Sequence, residues 1–203
     1  MTRPFHHQPD PGGLPGPATG GEAMPSWLEE RLFDRRIVML RGPLTSAVAS
    51  QVAAALLTLD ALGTDPVELH LTAMDGELSA AFAVVDAVDA MRAPLHAVIP
   101  SQVGGAAVAV LAAAGRRVAH RHARVRLSEP TANTAAGTAD QVAAAAGEYL
   151  RELDELVVRL AEVTGQPRSR IEDDLAAGRL LTAEQAVEYG LVDEILGPAR
   201  PSR

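Results

Sequence analysis

A few histidines and serines are the residues of this chain whose types could do chemistry. His120 and His122 are two residues apart, so a strand through them would place both imidazoles on one face, as metal ligands can be. The acid nearby is Glu129 and arginines surround the pair, so a solvated basic strand is the preferred interpretation. Ser101 and Ser128 are candidate nucleophiles, but a serine needs a base within hydrogen-bond reach, and the Glu129 carboxylate is too weak.

The composition excludes several classes of site and partner. The chain has no cysteine, which excludes disulfides, thiol nucleophiles and thiolate metal sites. A net charge of −8 argues against a nucleic-acid-binding protein, which needs a positive surface. The nearest candidate for a membrane helix, residues 97–115, is interrupted by Pro100 and several glycines, so no membrane association is expected. No apolar export segment is present, so we expect a cytoplasmic protein without metal or cofactor.

The pattern of apolar residues predicts one α/β domain. Residues 1–24 are rich in Pro and Gly and are expected to be disordered, as is the tail at 198–203, which leaves a domain at 25–197. Within this domain, helical and strand-like periods alternate, which is typical of a parallel sheet covered by helices. The predicted helices are 27–33, 47–62, 80–91, 104–114, 140–163 and 183–189, and the predicted strands are 36–40, 67–71, 95–99, parts of 117–127, and 192–196.

Three segments are similar to those of a known peptidase family. Arg31–Leu40 (RLFDRRIVML), Thr164–Gln166 (TGQ) and Leu181–Leu196 (LTAEQAVEYGLVDEIL) resemble the proteolytic subunit of the Clp protease (ClpP), a Ser-His-Asp peptidase. The resemblance covers Leu28–Leu196 and implies an α/β fold of the ClpP/crotonase type, a ββα spiral with residues 140–163 as a protruding handle helix. All 18 basic residues are arginine, which indicates a high-GC genome and a bacterial source.

The positions that the resemblance assigns to the catalytic triad carry other residues. The family's serine opens the buried helix in a Gln-Ala-Ala-Ser context; aligning from Pro94 places Ala106 there, and a one-residue slip places Gly105. The family's histidine ends a strand before Gln-Pro, and Ser128 stands at that position. Its aspartate lies four residues before the start of the terminal helix, which gives Gly178. A hydroxyl cannot accept a proton near neutral pH as an imidazole can.

The resemblance also assigns an oxyanion loop. The family carries Ser-Pro-Gly-Gly-Ser before a helix, so that a backbone N–H can reach the developing oxyanion, and this chain reads Ala73–Glu77 (AMDGE). Asp75, next to Gly76, takes the place of the glycine whose amide would donate, and its carboxylate opposes the charge that such a site stabilises. Anion-binding amides at Gly104 and Gly105 would belong to the same inherited site.

We therefore expect a degenerate serine peptidase homologue without catalysis, a structural or regulatory partner of catalytic Clp subunits in a homo- or hetero-oligomer. Glu68 and His70 stand where the family carries the tyrosines of its ATPase-docking pocket, so docking of a Clp ATPase is expected to be weakened. Ala176 and Ala177 replace the acid–arginine pair that locks two rings together. Two alternatives stay open: an independent acyl-CoA-binding protein of crotonase-like fold, and a rewired hydrolase that uses one of the serines named above.

Overall fold

The structure of the chain is a computed structural model that describes residues 24–132 and 137–197. The helices are α1 (Ser26–Asp34), α2 (Ser46–Leu62), α3 (Leu78–Ala90), α4 (Ala107–Ala113), α5 (Ala139–Thr164), α6 (Arg168–Ala177) and α7 (Ala183–Tyr189). The strands are β1 (Ile37–Arg41), β2 (Val67–Thr72), β3 (Leu95–Ile99), β4 (Gln102–Gly104), β5 (Arg116–His120), β6 (Arg124–Leu127), β7 (Arg179–Thr182) and β8 (Glu194–Leu196). The disorder predicted for the leader (residues 1–24) and for the tail (residues 198–203) concerns residues outside the described ranges, apart from Met24.

The centre of the fold is a five-stranded parallel sheet with the strand order β1-β2-β3-β5-β8. Helix α2 packs against β1 and β2, and α3 packs between α2 and α4. These contacts bury a core of Leu, Val and Ala side chains, in which Leu40, Leu56 and Leu69 are fully buried. The mixed α/β class with a parallel sheet is thereby confirmed. None of the described helices combines the length and the apolar character that a membrane crossing requires.

A second sheet of three strands, in the order β4-β6-β7, adjoins the first. Strand β6 runs parallel to β4 and antiparallel to β7. The sequence did not predict β4 or β7, and it gave residues 104–114 as one helix. That prediction is wrong at its start, because Val103 and Gly104 pair with β6 and Gly105 has a positive φ of 53°, so α4 begins only at Ala107.

Helix α4 is short, uncharged and enclosed by the rest of the domain. Its residues Ala107–Leu111 have no exposed surface, and the preceding Ala106 has none either. Only small side chains allow such close approach of neighbouring elements, which explains the run of Ala and Val in this segment. The interior position of this helix, predicted from its lack of charge, is therefore correct.

Helix α5 has 26 residues and corresponds to the handle helix predicted at 140–163. Thr138 and Gln141 form a capping box at its N-terminus, which fixes where it starts. Its buried residues, Leu156, Val157 and Leu160, all lie in the C-terminal half. The N-terminal half projects into solvent and exposes 47% of Val142 and 62% of Leu150.

The connection from α1 to β1 is held by a single arginine. Arg36 has a positive φ of 59°, which is uncommon for a residue with a side chain. Its guanidinium donates hydrogen bonds to the carbonyl oxygens of Leu59 at 3.0 Å, Gly63 at 3.0 Å and Asp65 at 2.8 Å. One side chain thus fastens the start of β1 to the end of α2 and to the loop that follows it.

Candidate functional site

The register of the three-stranded sheet brings the positions assigned to the triad to the same end of its strands. Gly104 pairs with Arg126 across β4 and β6, so the residues after them, up to Ala106 and Ser128, leave the sheet at the same end. Leu127 pairs with Arg179 across β6 and β7, so the next pair outward is Ser128 and Gly178. Three positions that are far apart in sequence therefore come together at the end of β6.

The start of α4 faces the loop that the resemblance assigned to the oxyanion. We call residues Ala73–Glu77 loop 73–77. The amide of Gly104 donates to the carbonyl oxygen of Ala73 at 2.8 Å. A Cβ at Gly105 would lie 3.2 Å from the carbonyl oxygen of Met74 and 3.5 Å from the Cα of Asp75. A side chain at position 105 would thus point at loop 73–77, but neither Gly105 nor Ala106 carries a hydroxyl or thiol.

The carboxylate of Asp75 accepts a hydrogen bond from the backbone amide that follows it in loop 73–77. Its Oδ1 accepts a hydrogen bond from the amide of Gly76 at 2.7 Å and a second one from the hydroxyl of Thr131. An amide that already donates to a carboxylate is not free to stabilise an oxyanion, and the negative charge repels one. Thr131 was missed in the sequence because it is 56 residues from Asp75 and belongs to no motif.

Loop 73–77 is held rigidly against Leu44. The amide of Leu44 donates a hydrogen bond to the carbonyl oxygen of Asp75 at 2.9 Å. The amide of Glu77 donates one to the carbonyl oxygen of Leu44, also at 2.9 Å. Gly76 has a φ of 148°, and a Cβ there would lie 2.5 Å from the Cβ of Leu44. Only glycine fits at this point, and the two backbone hydrogen bonds to Leu44 hold Asp75 and Glu77 beside it.

The serines that could be nucleophiles are not hydrogen-bonded to a histidine within the described residues. Ser128 is half-buried at the end of β6, and Ser101 is exposed between β3 and β4. In residues 24–132 and 137–197, no serine hydroxyl is hydrogen-bonded to an imidazole. Neither serine therefore has the activating contact that nucleophilic catalysis needs.

The pair His120 and His122 does not form the arrangement that the sequence suggested. His120 ends β5, whereas His122 lies in the turn before β6, so the two do not share a strand face. The prediction of one continuous strand face is wrong because a turn separates β5 from β6, closed by a hydrogen bond of 2.9 Å from the amide of Ala123 to the carbonyl oxygen of His120. Within the described ranges, no group of three or more His, Cys, Asp or Glu side chains is placed to hold a metal ion.

The acid nearest to Gly178 along the chain is engaged in a cluster on α6 and α7. Asp174 accepts hydrogen bonds from the hydroxyl of Tyr189 at 2.8 Å and from Nη1 of Arg179 at 3.0 Å. The guanidinium carbons of Arg170 and Arg179 lie 5.2 and 5.6 Å from the centre of the Tyr189 ring. Burial and the hydrogen bond to Asp174 raise the pKa of Tyr189 far above its usual value. Asp174 is committed to this cluster, which fastens α7 and β7 to α6.

A small acidic groove of about 240 Å³ lies beside the end of β6, between α5 and α6. Its apolar side chains come from both helices, and its carboxylates are those of Glu129, Asp154 and Glu172. Arg168 forms ion pairs with Asp154 and Glu172, which neutralises part of this charge. Burial and the nearby Glu129 raise the pKa of Tyr149, whose hydroxyl donates to the carbonyl oxygen of Pro130 at 2.9 Å.

Comparison with known proteins finds relatives over most of the chain. The family described as Clp protease matches residues 21–199. The chain belongs to the Clp protease family. ATP-dependent Clp protease proteolytic subunit 2 of Streptomyces coelicolor is 31% identical over 169 residues, which cover 82% of this chain and 78% of the relative.

Two further relatives of the Clp protease family match over the same share of the chain. Proteolytic subunit 1 of Thermobifida fusca is 29% identical over 169 residues, which cover 82% of this chain and 76% of the relative. The proteolytic subunit of Streptococcus pneumoniae is 31% identical over 170 residues, which cover 82% of this chain and 87% of the relative. The resemblance drawn from three short segments is confirmed at the level of the family, and the fold is that of ClpP.

Proposed function

We propose that this chain is a non-catalytic Clp protease homologue that assembles with catalytic Clp subunits and supports or regulates them. The observation that carries the proposal is the chemistry of three neighbouring positions. Ala106, Ser128 and Gly178 together offer one hydroxyl, with neither an imidazole nor a carboxylate. Acyl transfer by this type of peptidase needs a nucleophile, a base and an orienting acid in contact with one another.

The electrostatics of loop 73–77 support the same conclusion. A tetrahedral intermediate carries its negative charge where backbone amides should donate. Here the amide of Gly76 donates to the Asp75 carboxylate instead, at 2.7 Å. Residual catalysis after loss of a triad depends on the oxyanion hole and on substrate binding, and the first of these is opposed here by a fixed negative charge.

The handle helix α5 supports assembly with other subunits. Its N-terminal half projects from the domain and exposes Val142 and Leu150, which contact with another subunit would bury. The relatives are named proteolytic subunits, and they come from bacteria. We accordingly place the protein in a bacterial cytoplasm, in a homo- or hetero-oligomer in which the catalytic subunits supply both the chemistry and the docking of a Clp ATPase.

Hydrolysis of a fluorogenic peptide tests the absence of catalysis. We expect no turnover above buffer for the purified chain, and no change for Ser128→Ala or Ser101→Ala. Labelling with a fluorophosphonate probe should likewise be absent. Turnover or labelling that disappears in one of these two variants would overturn the proposal and establish a rewired serine hydrolase.

Native mass spectrometry of the tagged protein, purified from its own host, tests the partner. A ring that contains both this chain and catalytic Clp subunits is expected. Leu150→Gln should reduce the mixed species, whereas the neighbouring exposed variant Arg151→Gln should not. A pure monomer or small oligomer would contradict the proposal, and thermal stabilisation by acyl-CoA would then favour the independent binding protein.

A further inference from the structure

A large groove runs along the free edge of the parallel sheet. Strand β1 is the outermost strand of the five and pairs only with β2 among the described residues. Ile37, Val38, Met39 and Arg41 of this strand line a groove of about 880 Å³. Its walls are α1 on one side and α2 on the other, so the unpaired backbone of β1 lies along the floor.

The shape and the backbone of this groove suit an extended segment. A free edge strand presents a row of N–H and C=O groups that pair readily with another strand, and proteins normally cover such an edge. Apolar side chains such as Phe33 and Val52 line the groove as well, so a paired segment would also bury hydrophobic surface there. A sixth strand beside β1 would satisfy both the backbone and the apolar surface.

The charge of the groove indicates what kind of segment it takes. Three carboxylates line it, those of Glu29, Glu30 and Asp34, against the single guanidinium of Arg41. Among the described residues none of these three carboxylates forms an ion pair, and all three are exposed. A segment that combines basic side chains with a large apolar one is therefore complementary to this surface.

We propose that the groove is occupied by residues 3–8 of the chain's own leader. The leader joins the domain at Met24, which itself lines the groove. Phe5–Gln8 is its longest run free of Pro and Gly, and Phe5 is flanked by Arg3 and by His6 and His7. The first acid of the chain, Asp10, comes after this segment.

The geometry of the leader permits this contact. The intervening residues 9–23 can span up to ~50 Å when extended, far more than the ~17 Å length of a five-residue strand. Residues 3, 5 and 7 would pair with β1, and Pro4 would face away from it, where its missing N–H costs no hydrogen bond. The Pro- and Gly-rich remainder serves as a tether.

Distance measurement between two spin labels tests the contact in the full chain. The chain has no cysteine, so a double variant, Gln8→Cys and Ser50→Cys, carries labels only at the leader segment and at α2 beside the groove. We expect one narrow distance peak that persists when labelled protein is diluted with unlabelled protein. Phe5→Ala should abolish the narrow peak, and the matched leader variant Leu14→Ala should keep it.

Three outcomes would overturn the assignment. A broad distribution in the unmodified background would mean that the leader does not occupy the groove. A peak that vanishes on dilution would assign the groove to the leader of a second copy. A peak that survives Phe5→Ala would show that the contact does not depend on the proposed segment.

Discussion

The tightest steric constraint near the site is at Gly76, and replacing this residue with alanine tests it directly. Its φ of 148° is a conformation that residues with side chains rarely adopt. An added Cβ would lie 2.5 Å from the Cβ of Leu44 and 2.6 Å from its carbonyl oxygen. Because Leu44 is fully buried and two of its backbone groups bond to loop 73–77, neither side can move away without losing hydrogen bonds.

The expected loss in the free energy of unfolding of Gly76→Ala has two parts, one from the backbone conformation and one from the steric clash. A residue held in a sparsely populated backbone region costs of order 1–3 kcal/mol. Forcing an extra carbon into a packed contact costs another ~1–3 kcal/mol. We therefore expect Gly76→Ala to lower the free energy of unfolding by about 3–5 kcal/mol, a loss at the upper end of what single substitutions produce.

Two glycine-to-alanine controls separate these parts. Gly178 has a φ of 66° but no atom within 4 Å of an added Cβ, so Gly178→Ala should show only the backbone cost, about 1–2 kcal/mol. Gly147 lies inside α5 with nothing within 4 Å of an added Cβ. Gly147→Ala should therefore stabilise the protein by up to about 1 kcal/mol, since alanine is the better helix former.

Urea unfolding followed by circular dichroism, at one protein concentration, measures all three variants. With an unchanged slope of ~2 kcal/mol/M, the Gly76→Ala midpoint should fall by about 1.5–2.5 M. A Gly76→Ala midpoint equal to that of Gly178→Ala would refute the reasoning, because loop 73–77 would then not be held against Leu44.

Three further predictions concern the packing and ion pairs of the domain. Tyr189→Phe removes the donor to Asp174 and should cost about 1–2 kcal/mol in urea unfolding; an unchanged midpoint would show that the cluster is not stabilising. Leu156→Ala should cost about 2–5 kcal/mol because this side chain is fully buried, whereas Leu150→Ala should change stability by less than ~0.5 kcal/mol, and equal losses would contradict the packing. Burial would raise the pKa of Asp193, but hydrogen bonds from the side chain and the backbone amide of Arg117 outweigh it and lower the pKa below its usual value. Its contribution is therefore present above pH ~4 and is lost as pH falls through the folded-state pKa, so the stability gap between wild type and Asp193→Asn should narrow from pH 7 to pH 3.

Helices and strands with a clear period of their own were predictable from the sequence. The apolar residues of α2 and α5 recur at helical spacing over 17 and 26 residues, which is enough to identify the helices and nearly their ends. Strand β3 has the bounds Leu95–Ile99 that the sequence indicated, and β2 alternates between buried and more exposed residues as a half-buried strand does. These elements carry their signal locally, so no knowledge of distant partners was needed.

Elements that depend on distant partners were not predictable. Strand β4 has only three residues, Gln102–Gly104, and forms because β6 lies beside it. Helix α6 buries only Ile171 and Leu175, which is too short a pattern to separate it from a loop. The hydrogen bond from Thr131 to Asp75 likewise joins residues that no local pattern connects.

The site positions themselves came from the family resemblance rather than from periodicity. Once aligned, Ser128 and Gly178 follow from strand ends and from the spacing before the terminal helix. The choice between Ala106 and Gly105 could not be made by counting, because β4 and the turn at Gly105 interrupt the expected helix. The backbone geometry shows that a side chain at 105 would point at loop 73–77, and this depends on a dihedral angle that no sequence pattern reports.

The anchoring of Arg36 has a consequence for any segment that enters the groove along β1. Its four hydrogen bonds to backbone carbonyls, between 2.8 and 3.4 Å, fix the place where α1 turns into β1 relative to the end of α2. Since α1 and α2 are the two walls of the groove, this side chain sets their separation before anything binds. Because the walls of the groove are already in place, the conformational entropy lost on binding is that of the incoming strand. Lysine at this position would replace the planar guanidinium with a compact ammonium that cannot reproduce this set of hydrogen bonds. The spacing between α1 and α2 would then no longer be fixed by one side chain.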